Sequence, residues 1–211
     1  MTLKVYTIDG RGEPERLLFL VHGYGANEFH LASYGPLIDP EARFLVAAPR
    51  GLLDVPPDGA AWWHIDSETF EFDYGALPES LAALDDAIDE LCARRGLDRS
   101  RAVIGGFSQG AALGLALAFR RGARPRPAGV ICLSGFLLDA EHVDWDVAAG
   151  ASVPVFVGHG TGDPFLPVGR AEQLVETLRG AGLEVEFHTY PMAHDISLEE
   201  LVDLRAWLAT R

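Results

Sequence analysis

The sequence predicts an α/β fold, a mostly parallel central sheet with helices on both faces. Two observations carry that expectation. Short apolar runs are continuous rather than alternating, the pattern of strands buried on both faces. They also alternate along the chain with segments of helical spacing. With 211 residues, 48% hydrophobic and 23% charged, the chain suits one domain spanning 1–211 with a substantial core.

The elements follow in order. Leu3–Ile8 alternates and reads as an edge strand. Arg16–Val21 is a buried strand with the exit loop His22-Gly23-Tyr24-Gly25, and Phe44–Ala48 is a second, closed by Pro49-Arg50-Gly51. Pro78–Arg95 carries Leu81, Leu84, Ile88 and Leu91 at helical spacing, with Gly96 as its stop signal. Asp85, Asp86, Asp89 and Glu90 fall on its other faces and read as solvated. Beyond it come strand Arg101–Gly105, helix Gln109–Arg121 and strands Gly129–Leu133 and Val153–Val157. Helix Val168–Gly180, strand Leu183–Tyr190 and helix Ser197–Thr210 complete the pattern. No long insertion separates them, so no large lid domain is expected.

The formal net charge of −14 argues against a nucleic acid partner, which requires a basic surface. It also disfavours an anionic membrane surface. The longest nearly apolar stretch, Ala111–Phe119, is far too short to span a bilayer, so no membrane insertion is expected. The first residues lack the apolar core of a secretory signal, which makes cytoplasmic the default expectation. Cys92 and Cys132 lie in apolar segments and read as buried thiols. A monomer or homodimer is expected.

The pentapeptide Gly106-Phe107-Ser108-Gln109-Gly110 stands where a strand becomes a helix. That context suits a nucleophile elbow, in which a tight turn holds the serine in a strained conformation. Side chains at 106 and 110 are expected to collide with neighbouring backbone, hence the glycines. The Gln109 N–H then points from the helix N-terminus at any developing oxyanion. A nucleophilic serine needs a base and the base an orienting acid, arriving here in the chain order Ser, acid, His. Asp163 follows the 153–157 strand and His194 follows the 183–190 strand, where that order demands them. Asp139 and Asp195 are competing acids, and His22 and His159 competing bases; both histidines otherwise read as groups shaping the loops. His30, His64, His142 and His188 lie off the strand exits. Ser134 lacks the first elbow glycine and reads as a turn. His142-x-Asp144-x-Asp146 has no further ligands nearby, so no metal is expected. The second oxyanion donor is expected from the early loop, at the Tyr24 N–H. Leu52, Trp62, Trp63, Phe136 and Leu137 sit in the longest irregular stretches and are candidate walls of an acyl pocket. The tryptophan pair reads equally well as core.

These motifs together resemble the carboxylesterase, acyl-protein thioesterase and phospholipase-like group of small α/β-hydrolases. The resemblance rests on His22-Gly23-Tyr24-Gly25, Ala48-Pro49-Arg50-Gly51, Gly105 to Gly110 and Leu133-Ser134-Gly135-Phe136. It continues through His159 to Pro164 and Met192-Ala193-His194-Asp195-Ile196, and covers about residues 16–210. It implies an α/β-hydrolase fold and cofactor-free, serine-dependent hydrolysis of esters or thioesters. Ser108, Asp163 and His194 form the implied triad, and the N–H groups of Tyr24 and Gln109 the implied oxyanion hole. The thioesterase branch typically carries a His-Gly-Leu-Gly-Asp loop, whereas Tyr24 and Ala26-Asn27 stand here. Ala61-Trp62-Trp63-His64-Ile65-Asp66 resembles the bacterial esterase branch, which favours a small-molecule ester of short to medium acyl chain. Lysophospholipase or thioesterase activity, acyl transfer, perhydrolysis and a non-catalytic binding role are the alternatives.

Overall fold

The computed structural model describes residues 3–10, 12, 14–66, 69 and 71–211. Strands β1 (Val5–Ile8), β2 (Arg16–Val21) and β3 (Phe44–Pro49) come first, with the short helix α1 (Gly35–Ile38) before β3. Two small hairpins follow, β4 (Leu53–Val55) with β5 (Gly59–Ala61), and β6 (His64–Ile65) with β7 (Phe72–Asp73). Then come α2 (Leu77–Arg95), β8 (Val103–Phe107), α3 (Gln109–Phe119), β9 (Gly129–Leu133), β10 (Val155–Gly160), α4 (Gly169–Gly180), β11 (Val185–Tyr190) and α5 (Leu198–Ala209). The main sheet runs β1-β3-β2-β8-β9-β10-β11, with only edge strand β1 antiparallel to its neighbour. The chain moves outward from β2 to β3 and then returns to place β8 on the other side of β2. That reversal of strand order opens a crevice at the carboxyl ends of β2 and β8, the usual ligand position in an open α/β sheet.

All 11 residues of α3 are buried, as a helix apolar all round must be. It packs close on β8 because Gly114 meets Gly105: a Cβ on Gly114 would lie 2.9 Å from the Gly105 Cα. Helix α2 ends where expected, at Gly96 in a left-handed conformation (φ 65°) whose N–H bonds to the Cys92 carbonyl. Ser197 caps α5 by accepting the Glu200 N–H at 3.1 Å. Cys92 and Cys132 are buried free thiols. Among the described residues no helix is long and apolar enough to cross a membrane.

Four expectations are corrected. Helix α3 stops at Phe119 rather than Arg121, because Arg120 turns extended (ψ 155°) and bridges to Trp145. Strand β10 begins at Val155 and continues through Gly158-His159-Gly160, which pair with His188, Thr189 and Tyr190 of β11. Residues 51–75, read as irregular, hold the two hairpins. Asp85 is not solvated: it is 1% exposed and forms ion pairs with Arg99 and Arg120. Arg99 is buried too, and donates further to the Asp85 carbonyl at 3.1 Å and to Asp89 at 2.7 Å.

Removing one partner of a buried ion pair leaves an uncompensated charge, so Asp85→Ala should cost about 3–5 kcal/mol of unfolding free energy. Asp144, exposed and paired with exposed Arg121, should cost less than about 1 kcal/mol as Asp144→Ala. Denaturant titration of the two variants checks the contrast; equal losses would place Asp85 on the surface.

Candidate active site

The elbow forms where β8 runs straight into α3. Ser108 sits between them at φ 55°, ψ −117°, a conformation that costs an L-residue about 1–3 kcal/mol. Its N–H donates to the Leu133 carbonyl at 2.9 Å, and its carbonyl accepts from Ala111 and Ala112. The flanking glycines are sterically required. A Cβ on Gly106 would lie 2.0 Å from the Val21 carbonyl oxygen, and one on Gly110 would lie 1.8 Å from the same atom.

The loop after β2 lies against this elbow. A Cβ on Gly23 would come within 3.1 Å of the Ser108 Cβ. The N–H groups of Tyr24, in that loop, and of Gln109, next to Ser108 in the chain, meet no acceptor among the described residues. The Gln109 side chain is turned away and clamps the neighbouring segment: its Oε1 accepts from the Trp62 N–H (3.1 Å) and its Nε2 donates to the Trp63 carbonyl (3.0 Å).

Asp163 is buried and lies three residues beyond β10. Its Oδ1 accepts the N–H groups of Phe165 and Leu166 at 2.9 and 2.8 Å, which fixes the carboxylate. Its Oδ2 accepts from His194 Nδ1 at 2.6 Å. That bond places the imidazole proton on Nδ1 and leaves Nε2 basic. The ring of Phe107 packs against His194 at 4.7 Å and that of Phe165 meets it edge-on at 5.7 Å, so the imidazole stands beside the elbow.

The competing residues have other surroundings, except that His159 Nε2 also lies 3.6 Å from Asp163 Oδ2. Asp195 accepts the Ile196 N–H at 2.8 Å, and Asp139 lines a groove beside Tyr74. His22 shapes its own loop: Nδ1 bonds to the Gly23 carbonyl (2.7 Å) and Nε2 accepts the Gly51 N–H (3.0 Å). Burial lowers its pKa to about 4, so it stays neutral in that role. His159 is fully buried and donates from Nε2 to the Leu166 carbonyl at 2.7 Å, steadying the turn that holds Asp163. Ser134 is buried with φ 46° and stands outside any strand-to-helix elbow. Asp144 and Asp146 form ion pairs with Arg121, and the His142 ring packs on Tyr74 at 4.2 Å.

Of the two readings of the tryptophan pair, the structure takes the core one. Trp62 and Trp63 are fully buried and belong to the core. The Trp62 indole donates to the His22 carbonyl at 2.9 Å and Ser80 Oγ donates to the Trp62 carbonyl at 2.7 Å, so this pair braces the site from behind. Leu52 is half-buried against the same core. Phe136 and Leu137 line an open groove of about 510 Å³, whose walls include neither Ser108 nor His194. Phe72 and Tyr74, which sequence reasoning passed over, form its other side, with Phe72 stacked on Phe136 at 6.0 Å. Their signal was the two-residue spacing of aromatics in Phe72-Asp73-Tyr74.

Residues 4–211 match the family model described as phospholipase/carboxylesterase. The chain belongs to that family. It is 32% identical over 143 residues to lysophospholipase-like protein 1 of Mus musculus, covering 64% of this chain and 59% of that one. It is 37% identical over 138 residues to acyl-protein thioesterase 1 of Debaryomyces hansenii, covering 62% and 57%. The matches thus span less than two thirds of these relatives' length. Among solved structures, the carboxylesterase of Bacillus cereus superposes with a TM-score of 0.84 at 24% identity, over 99% of this chain and 94% of that one, and shows the same fold.

One buried acid near the site makes a test of its own. Glu200, fully buried on the first turn of α5, presses on Gly158 of β10, where a Cβ would sit 2.1 Å from its Oε1. Burial pushes its carboxyl up to about 8. A raised folded pKa means that the stability contribution is full below the ordinary value of 4.5 and is lost as pH climbs toward about 8. Glu200→Gln should therefore flatten the fall of Tm between pH 5 and 8 relative to wild type. Parallel curves would mean that Glu200 ionises in the folded state at no cost.

Proposed function

We propose that this chain is a serine hydrolase of carboxylic esters, with Ser108 as nucleophile, His194 as general base and Asp163 as orienting acid. The observation that carries the reading is the Asp163–His194 hydrogen bond beside a serine held at positive φ. In this mechanism Ser108 Oγ attacks the ester carbonyl carbon as its proton passes to His194 Nε2. The carbonyl oxygen becomes an oxyanion between the N–H groups of Tyr24 and Gln109, the latter carrying the positive end of the α3 dipole. The buried Asp163 carboxylate stabilises the imidazolium, which then protonates the departing alcohol. Water, deprotonated by His194, attacks the acyl-enzyme through a second oxyanion; its collapse releases the acid and returns the proton from imidazolium to Ser108. No cofactor takes part.

Ser108→Ala should fold as wild type and lose activity by several orders of magnitude, retaining the residue that binding and the oxyanion donors supply. Labelling by a fluorophosphonate, one per wild-type chain and none in the variant, checks this directly. Retention of more than about a tenth of the rate would make the elbow structural.

The groove supports short to medium acyl chains. Each added methylene gains about 0.8 kcal/mol only while it still enters apolar surroundings. Phe72, Phe136 and Leu137 supply such surroundings for a few carbons, whereas Glu71, Asp73, Asp139 and Glu141 rim the same groove. On p-nitrophenyl esters kcat/KM should peak at short to medium length and fall at palmitate. A steady rise to sixteen carbons would move the substrate toward lipids or acylated protein and leave the triad as it is.

A further inference from the structure

The segment Pro49-Arg50-Gly51 takes no part in the chemistry above, yet Arg50 makes more polar contacts than an exposed arginine needs. Its Nη1 donates to the Asp58 carbonyl (3.1 Å) and to Glu28 Oε2 (3.4 Å). Its Nη2 donates to the Gly59 carbonyl (2.9 Å) and to Asp54 (3.1 Å). Its own N–H donates to the Lys4 carbonyl at 2.8 Å. Glu28 is 1% exposed and also takes Lys4 Nζ at 2.5 Å. A carboxylate so buried on a chain of net charge −14 requires compensation, and two cations from different strand ends provide it.

What these groups hold is the oxyanion loop. Gly25 donates to the Ala60 carbonyl at 2.9 Å and Ala60 donates to the Ala26 carbonyl at 2.7 Å, so the loop pairs with β5 like a short strand. The contact is tight enough that a Cβ on Gly59 would meet the Gly25 carbonyl oxygen at 2.2 Å. Arg50 grips the turn of that hairpin through the Asp58 and Gly59 carbonyls. Through Glu28 it grips the chain just past the loop. Arg50 thus joins the hairpin and the loop at the end of β3, beside the Gly51 N–H that His22 Nε2 accepts.

We propose that Arg50 and Glu28 are positioning residues for the oxyanion hole: their ion pair locks the Gly25–Asn27 loop onto the β4–β5 hairpin and so aims the Tyr24 N–H at the reacting oxygen. The inference rests on the reading of Tyr24 as an oxyanion donor. Lysine in place of Arg50 keeps the charge but lacks the planar fork that reaches two carbonyls and a carboxylate at once. Binding of the ester ground state depends little on this loop, whereas the transition state depends on it directly.

The test is steady-state kinetics of Arg50→Gln, Arg50→Lys and Glu28→Gln on a short p-nitrophenyl ester. Rates are expressed per site titrated with a fluorophosphonate, so that a misfolded fraction drops out. An alkyl boronic acid, whose serine adduct places an oxygen in the oxyanion hole, serves as transition-state analogue. Arg50→Gln should lower kcat per titrated site by about tenfold to a hundredfold with KM within about threefold, as expected for displacement of one donor rather than its loss. Boronic acid affinity should fall by a similar factor, and Arg50→Lys should recover only part of both. Should Arg50→Gln fail to fold, the lysine and Glu28→Gln variants give the same reading, each losing kcat in parallel with boronate affinity. Unchanged kcat per titrated site, or a loss confined to KM, overturns the positioning role. Failure of wild type to label at Ser108 would instead overturn the hydrolase reading beneath it.

Discussion

The close approach of the elbow to a single carbonyl, that of Val21, is the constraint from which the rest of the site follows. Gly106 and Gly110 both face this oxygen, the first from the end of β8 and the second from the first turn of α3. Only a chain without side chains at both positions lets the strand-to-helix turn sit so low on β2. That depth forces Ser108 into positive φ and lifts its side chain to the carboxyl edge of the sheet. It also brings the loop after β2 into contact with the serine through Gly23. Ser108 and the loop after β2 are therefore placed by one packing event between neighbouring parallel strands. The strain at Ser108, about 1–3 kcal/mol, is held by the fully buried helix that follows it.

The acid and the base are placed by a different logic, that of a polar group buried only when it is satisfied. Asp163 is buried because two backbone N–H groups and one imidazole accept the burden of its charge. Gly160 permits this turn, since a Cβ there would meet the Ala193 carbonyl at 2.2 Å, and the two strand exits would be pushed apart. His159 braces the same turn from beneath through Leu166. The hydrogen bond from His194 to Asp163 is thus the meeting point of two loops whose backbones already touch. Within its own loop Asp163 has only the two N–H groups on Oδ1; its Oδ2 is met from the other loop, by His194.

How much of this was legible in the sequence depended on whether a feature is local or assembled. Strands β2 and β9 match the sequence reading residue for residue because each is a continuous apolar run with clear turn signals. Ser108, Asp163 and His194 were legible as candidates because strand exits in a parallel sheet share one edge, so order along the chain already implies proximity. The end of β10 was not, because Gly158 and Gly160 read as loop residues when they are strand residues making room for Glu200 and for the Ala193 backbone. Asp85 was misjudged for the same reason. Its partners Arg99 and Arg120 lie 14 and 35 residues away, and nothing in the helical pattern announces them. Trp62 and Trp63, in an irregular stretch, read equally well as pocket wall or as core, and they are core. Their backbone is fixed by the side-chain amide of Gln109, 47 and 46 residues further on, a contact that no local pattern announces.

That last contact links the two halves of the site. Gln109 presents its backbone N–H beside Ser108 while its side chain fastens the Trp62-Trp63 segment, and the Trp62 indole in turn bonds the His22 carbonyl. The His22 ring completes a circuit by accepting the Gly51 N–H, next to Arg50. Gln109, the Trp62-Trp63 segment and the loop after β2 are thereby tied into one frame of hydrogen bonds, with burial holding His22 uncharged within it. A frame of neutral groups has a physical advantage here. The oxyanion is the charge that must be stabilised, and a fixed anion in the frame would oppose it in the low-dielectric interior. The buried anion beside this loop, Glu28, is paired with Lys4 and Arg50, and Arg50 also takes the exposed Asp54. In the proposed reaction the charge of Glu28 is thereby compensated where it stands, and the developing oxyanion is left to backbone amides.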